Sequence, residues 1–307
     1  MKKLTLIFTV LAFVLGIAII SCTKQATTQT DTVITTTTDA IVLDNTVSDF
    51  TGLVDDYTAA NPSFFVDPTI PTKAASADPL PTTVKGIGLD KCATVNILKT
   101  PTMTASVITG AMVKFTIEFT AGCIGSDGKA RRGTIVSTFT WVKEGGWSRV
   151  SAIDLFVSDV HYVGTQNGTF SKIAPFSHAY YTESSTLTVT AKDGTVKKWS
   201  SERQRELMEG NGGVNPVKIW KITGNSSFTN AKGEKSTYTI KEPLYTSTAC
   251  KGFIAGTVVT VSTGVTTTAA YGAYTNAASA SCKDGFTVTK PGVNGGPAIT
   301  TFIKFGK

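Results

Sequence analysis

The chain has 307 residues, of which 41% are hydrophobic and 17% are charged, and its formal net charge at pH 7 is +7. This composition excludes a wholly disordered chain, and the dispersed positive charge excludes a concentrated nucleic-acid-binding surface, so we expect no nucleic-acid partner. Abundant Thr and Val, together with 28 glycines, favour many short strands and turns. We therefore expect an all-β fold.

The chain begins with the pattern of a secretory signal peptide. Two lysines, Lys2 and Lys3, precede an uncharged apolar run over residues 4–20. The run ends in Ile19-Ile20-Ser21-Cys22, and a small residue before a cysteine is typical of the site where a bacterial lipoprotein is cut and acylated. A membrane-spanning helix has a similar length, but no basic cluster follows this run. We expect residues 1–21 to be removed and Cys22 to carry palmitate-type acyl chains in the membrane.

Composition divides the rest of the chain into three regions. Residues 22–43 are Thr-rich with almost nothing to bury, which predicts a flexible tether. Residues 44–81 contain a short amphipathic helix, Asp44 to Ala60, and then a Pro-rich spacer. Residues 82–307 form the all-β body, with a break near 170–185 into two subdomains left open.

Apolar residues alternate along the body, which is typical of antiparallel strands. Phe115, Ile117 and Phe119 fall on one face of such a strand. Asp-Gly pairs at 127–128 and 193–194 have the chemistry of hairpin turns. The predicted architecture is a multi-stranded antiparallel meander or sandwich-like sheet.

Two segments of the body are ambiguous. Residues 201–209 are rich in helix formers and end before Gly210, which favours a helix by propensity alone. We interpret them as a strand, because the residues on both sides are strand-like. Residues 225–227, Asn-Ser-Ser, and Lys232-Gly233 are interpreted as turn segments between the strands 217–223 and 236–240.

Four cysteines remain once Cys22 is assigned to lipid. Disulfides persist in an oxidising compartment, and four cysteines allow three pairings. We favour Cys92 with Cys123 and Cys250 with Cys282, because the two separations are nearly equal and each pair brackets two predicted strands. A zinc site is disfavoured because no Cys-x-x-Cys spacing occurs, and no metal or cofactor is expected.

Residues suited to catalysis are few. His161 lies in a Val-rich segment that we interpret as one strand, with Phe156 and Tyr162 on the opposite face, and His178 lies in a predicted loop. The sequence contains no Gly-x-Ser-x-Gly elbow and no phosphate-binding loop ahead of a helix. Carboxylates are present, but their separation is not given by the sequence. We predict a non-enzymatic binding or interaction module, with an exported hydrolase of glycans or peptides as the alternative.

Tryptophans are the best candidates for ligand contact. Trp141 and Trp147 flank a short Gly-containing segment, and exposed indole rings there could bind sugar rings or hydrophobic ligands. Core packing is the competing interpretation for these two and for Trp199 and Trp220. A glycan or an envelope protein is therefore the expected partner besides the membrane, and the oligomeric state is not indicated.

One segment of the body resembles a known family. Residues 115–136 contain, in order, a strand, Gly-Cys, an Asp-Gly turn and an Arg-Gly strand, and this order is similar to that of a family of uncharacterised Bacteroidetes lipoproteins. The likeness extends over roughly residues 85–290, through the segments 193–199, 203–210, 222–224 with Asn230 and Gly233, 238–244, and Cys250 with 256–258. The resemblance implies an exported all-β lipoprotein and brings no activity with it.

The residues after Cys22 bear on location within the envelope. Thr23 is not the Asp that tends to retain lipoproteins at the inner membrane, and the acidic run associated with surface export in the resembling family is missing. We expect the chain at the outer membrane, with the periplasmic face favoured over the cell surface.

Overall fold

The structure is a computed structural model that describes one segment near the start of the chain and most of the body. The described residues are 37–54, 80–85, 93–104, 107–125, 128–142, 146–170, 180–209, 217–247, 249–250, 252–276, 281–292 and 295–304. The expected signal peptide, the expected acylation site Cys22, most of the predicted tether and Pro-rich spacer, Cys92 and His178 lie outside these ranges, so those assignments stay predictions.

One helix, α1, covers residues 37–54. Its apolar side chains recur at helical spacing and are buried, which confirms an amphipathic helix. These side chains are Ala40, Ile41, Leu43, Val47, Phe50, Leu53 and Val54. Residues 37–43, which the sequence assigned to the tether, are helical instead, because Thr37, Ala40 and Ile41 are fully buried and draw this part of the chain into the core. The described residues contain no helix long and apolar enough to cross a bilayer.

The described body forms one antiparallel sheet of fourteen strands, each paired with the next along the chain. The strands are β1 (Leu80–Lys85), β2 (Ala93–Thr104), β3 (Val107–Ile124), β4 (Ala130–Val142), β5 (Gly146–Val157), β6 (Val160–Phe170), β7 (Tyr180–Thr190), β8 (Val196–Glu209), β9 (Ile219–Thr229), β10 (Lys235–Ser247), β11 (Phe253–Ser262), β12 (Val265–Gly272), β13 (Gly285–Lys290) and β14 (Ile299–Lys304). The predicted all-β meander with a short N-terminal helix is confirmed.

Alternating burial explains why these segments are strands. On β3, Phe115, Ile117 and Phe119 are buried, and the residues between them are more exposed. On β8, Trp199, Leu207 and the positions between them at period two are buried in the same way. The predicted strand at 201–209 is therefore confirmed, because pairing with both β7 and β9 overrides the helix propensity of this segment.

Both Asp-Gly hairpin turns are confirmed where the structure describes them. Gly128 and Gly194 adopt φ angles of 79° and 81°, which glycine reaches without steric strain. The Gly194 amide donates to the Ala191 carbonyl at 2.9 Å, and this bond closes the turn between β7 and β8.

Two local predictions were wrong. The chain reverses at Ser158 and Asp159, so β5 and β6 form a hairpin, and Phe156 pairs with His161 on the same face rather than the opposite one. Ser158 adopts a φ of 55°, so this turn uses no glycine. Residues 225–227 lie inside β9 and are not a turn, because Ser226 pairs with Ser201 of β8 on the buried face.

The strands on either side of the open subdomain break near 170–185 belong to the same sheet, and residues 171–179 between them lie outside the described ranges. β6 and β7 pair from His161 with Thr190 to Phe170 with Tyr181. One hydrophobic core accordingly includes side chains of strands on both sides of this hairpin.

Helix α1 packs across one face of the sheet, which we call the inner face. The Thr37 and Thr267 hydroxyls hydrogen bond at 2.8 Å, which places the start of the described helix on β12. The Phe50 ring packs edge-on against Tyr162 of β6 at 5.3 Å, so the helix reaches the middle strands at its other end. We call the opposite face the outer face.

A disulfide bond connects the chain before β11 to the chain after β12. Cys250 and Cys282 form a disulfide with a Cα–Cα distance of 5.1 Å, and the pair brackets β11 and β12 as predicted. Cys123, at the end of β3, is also disulfide-bonded, while its predicted partner Cys92 lies outside the described residues.

Candidate functional site

A polar groove crosses the outer face of β5 to β9. Strand register sets one side chain from each strand in a single row: Ser148, Thr169, Thr182, Gln204 and Thr223. The Thr169 and Thr182 hydroxyls hydrogen bond at 2.7 Å, so neighbouring members of the row are in contact. These residues line a groove of about 620 Å³.

A second row lies beside the first and lines the same groove. Its members are Val150, Asn167, Ser184, Glu202 and Asn225, and all of them are exposed. We call the two rows together the outer groove. The groove therefore presents hydroxyls and amides that can both donate and accept hydrogen bonds. Among its described lining residues, Glu202 supplies the exposed charge.

Two tyrosines stand beside the outer groove. The rings of Tyr245 and Tyr274 stack with centroids 4.1 Å apart and an interplanar angle of 18°. Tyr245 pairs with Lys221, which is two residues along β9 from Thr223 in the groove. Residues two apart on one strand face are separated by about 7 Å, so the aromatic pair adjoins the end of the first row.

The position of Tyr274 is fixed by a carboxylate. Its hydroxyl donates to Glu209 at 2.7 Å. Burial, and then the hydrogen bond to Glu209 with its negative charge, raise the pKa of Tyr274 to about 12. Next to this pair, the Lys221 ammonium lies 3.2 Å from Glu206. The rim of the groove thus combines an ordered aromatic surface with acidic side chains.

A buried polar network lies on the inner face directly behind the groove. Arg149 and Glu183 form an ion pair at 3.4 Å, with side chains 0% and 3% exposed. Gln166 donates to Glu183 at 2.8 Å and to the Thr51 hydroxyl of α1 at 2.7 Å. Thr51 in turn donates to Glu183 at 3.0 Å. The network joins β5, β6, β7 and α1, so three of the five strands that form the groove are connected by side chains from behind.

A second buried ion pair joins the helix to β8. The Arg203 guanidinium donates to Asp44 at 2.8 Å, and both side chains are almost fully buried. Burial, and then the Asp44 charge, hold the pKa of Tyr238 and that of Tyr271 well above the usual range, so both phenols stay neutral. The negative charge that raises the pKa of these two phenols therefore comes from Asp44 on the helix.

The tryptophans predicted as ligand contacts lie on one hairpin. Trp141 of β4 and Trp147 of β5 are directly paired across the strands, and each is half-buried. Trp147 also packs against the hydrophobic core. Their role in ligand contact stays a prediction, whereas the core interpretation is confirmed for Trp199 and Trp220, which are 1% and 8% exposed.

The histidine considered for catalysis already has close partners. His161 Nε2 lies 2.7 Å from Asp154, and its ring stacks on Phe156 with centroids 4.0 Å apart. The Arg132 guanidinium covers the Phe156 ring at 3.7 Å. His161 thus belongs to a surface stack on the β5–β6 hairpin. Among the carboxylates of the body, Glu183 is buried in the Arg149 ion pair.

Metal binding finds no support in the described ranges, where no group of three or more His, Cys, Asp or Glu side chains could hold an ion.

The sequence did not predict the stacked pair of Tyr245 and Tyr274. Tyr274 follows β12 in irregular backbone, and its stacking partner Tyr245 lies on a different strand. In the sequence, Tyr274 is marked only by its closeness to Tyr271 and Gly272, and no known residue spacing links it to Tyr245.

Comparison with family models, with curated proteins and with solved structures finds no match to this chain.

Proposed function

We propose that the chain is a lipid-anchored protein of the cell envelope with a binding role rather than an enzymatic one. The outer groove is the observation that carries the binding role. It aligns hydrogen-bonding side chains from five consecutive strands on the face opposite α1. Two side chains of the kinds that a hydrolase uses already have partners: Glu183 pairs with Arg149, and His161 contacts Asp154.

The anchoring part of the proposal is supported by the sequence around Cys22. Residues 22–36 separate this cysteine from the described helix, and an extended chain of that length reaches at most about 50 Å. Because α1 lies on the inner face, attachment through the segment before it leaves the outer groove accessible. Thr23 after Cys22, in place of an Asp, supports an outer-membrane location, and the lack of an acidic run after it supports the periplasmic face.

Anchoring is tested by labelling the full chain with radioactive palmitate in a bacterial host and separating membranes from soluble material. We expect Cys22→Ala to lose the label and to leave the membrane fraction. The matched control Ser21→Ala keeps a small residue before the cysteine, and it should be labelled and retained like the wild type. A Cys22→Ala protein that stays labelled and membrane-bound would contradict the proposal.

A further inference from the structure

We infer that the outer groove and the Tyr245–Tyr274 pair form one binding site for a neutral oligosaccharide. The inference rests on the proposed binding role and names the class of ligand. It places the site on β5 to β10 rather than on the tryptophan hairpin considered from the sequence.

The groove offers no free strand edge to which a peptide could add as an extra strand. Strands β5 to β9 are paired on both sides, so their backbone amides and carbonyls are already engaged within the sheet. Side chains alone face the groove, and most of those described are hydroxyls or amides. A ligand that carries many hydroxyl groups matches this surface, because each hydroxyl can donate and accept a hydrogen bond.

The dimensions of the groove select an oligomer. Adjacent strands lie about 4.8 Å apart, so the row from Ser148 on β5 to Thr223 on β9 covers about 19 Å. A single sugar would contact only part of this row. A linear chain of several sugars that crosses the strands would contact successive members.

The tyrosine pair supplies the surface on which a sugar ring can stack. Tyr274 is held in place by its bond to Glu209 and by its stack with Tyr245, so little side-chain freedom is lost on binding. Aromatic rings present a broad apolar face beside a polar edge, which suits the C–H face and the hydroxyl rim of a pyranose. The pair adjoins Thr223, so one ligand can contact both parts of the site.

Charge decides between neutral and acidic sugars. Glu202 is exposed in the groove, and Glu206 and Glu209 lie at the tyrosine end. The ammonium of Lys221 pairs with Glu206, which neutralises that carboxylate rather than offering a cation to the ligand. A polyanionic chain would therefore meet like charge along its path. A neutral chain meets no such repulsion.

The test is titration calorimetry of the full chain in a micelle of polyoxyethylene detergent, which contains no sugar. The probes are neutral hexasaccharides of glucose, of mannose and of N-acetylglucosamine, with hexagalacturonate as the acidic probe and a tyrosine-free acidic peptide as the macromolecular alternative. We expect at least one neutral hexasaccharide to bind and the acidic probes to show no heat of binding.

Two variants and one control variant test where the ligand binds. Tyr274→Ala should weaken binding about tenfold through loss of the stacking surface, and Gln204→Ala should weaken it about threefold through loss of a hydrogen bond. The matched control is Phe302→Ala, which removes an exposed aromatic ring on β14, away from the groove, and should leave the affinity within twofold. Because Gln204 is an exposed strand residue, its variant keeps the test valid if Tyr274→Ala folds poorly.

Three results would each overturn the inference: no neutral hexasaccharide binds, an acidic probe binds more tightly than every neutral one, or both Tyr274→Ala and Gln204→Ala bind like the wild type. Calorimetry in the micelle does not depend on acylation of Cys22. Failure here is therefore distinct from failure of the anchoring experiment.

Discussion

Asp44 on α1 accepts a hydrogen bond from Arg203 on β8 at 2.8 Å, and the two side chains are 7% and 5% exposed. Two further helix aspartates, five residues away on either side, also pair with the body: Asp39 with Lys197 and Asp49 with Lys129. Those outer pairs are partly exposed. The helix is therefore held on the inner face by one buried ion pair between two solvated ones.

Removal of the buried carboxylate should destabilise the protein far more than removal of a solvated one. We expect Asp44→Ala to lower the free energy of unfolding by about 3–5 kcal/mol, because Arg203 would be left as an uncompensated buried charge. Asp39→Ala should lower it by less than about 1 kcal/mol. Urea denaturation followed by circular dichroism measures both. The double variant Asp44→Leu, Arg203→Met should be more stable than Asp44→Ala, and a double variant that is less stable would refute this explanation.

The Cys250–Cys282 disulfide should contribute to global stability. The cysteines are separated by 32 residues. In the chain-entropy model, closure of a loop of this length lowers the entropy of the unfolded chain and so stabilises the folded state by about 3–4 kcal/mol. Replacement of both cysteines by serine should lower the unfolding free energy by that amount in non-reducing buffer. An unchanged midpoint of denaturation would show that the loop is already restricted in the unfolded state.

Two glycines should respond to alanine in opposite ways. Gly224 has a φ of +125°, and an added Cβ would lie 2.1 Å from the Glu202 carbonyl oxygen, so Gly224→Ala should destabilise by more than about 2 kcal/mol. Gly52 lies within α1 with nothing within 4 Å of an added Cβ, so Gly52→Ala should stabilise by about 0.5–1 kcal/mol. Thermal unfolding of the two variants should show midpoints on opposite sides of the wild-type value.

The Tyr274 phenol should couple stability to alkaline pH. Its pKa is raised to about 12 in the folded chain, from an ordinary value near 10. The folded state therefore holds this proton more tightly, and the resulting stabilisation is fully present below about pH 10 and is lost as the pH rises through 12. In Tyr274→Phe this component should disappear from the pH dependence of unfolding. An identical alkaline profile for the variant and the wild type would exclude it.

Local patterns predicted the strands well where each residue's environment follows from its neighbours in sequence. Phe115, Ile117 and Phe119 alternate because the pleat sends every second side chain into the core. The sequence does not predict the Ser158-Asp159 turn, because strand-forming valines, Val157 and Val160, lie on both sides of it and no glycine is present at the reversal. Turn propensity is only a tendency, and a residue such as Ser can adopt positive φ when strand pairing on both sides requires it.

The site depends on contacts between distant segments, which local patterns do not contain. Residues 225–227 have turn chemistry, yet pairing with β8 puts Ser226 on the buried face and Asn225 in the groove. The register of five strands aligns the groove residues, and no single strand reveals that alignment. The stack of Tyr245 on Tyr274 likewise forms only after β10 and the segment beyond β12 meet.

Lipid anchoring of the body at Cys22 is tested most directly by the mass of the N-terminal peptide of the protein purified from membranes. We predict a peptide that begins at Cys22 and carries the added mass of its acyl chains, with residues 1–21 absent. A peptide that begins at any other residue, or an unmodified Cys22, would contradict the claim.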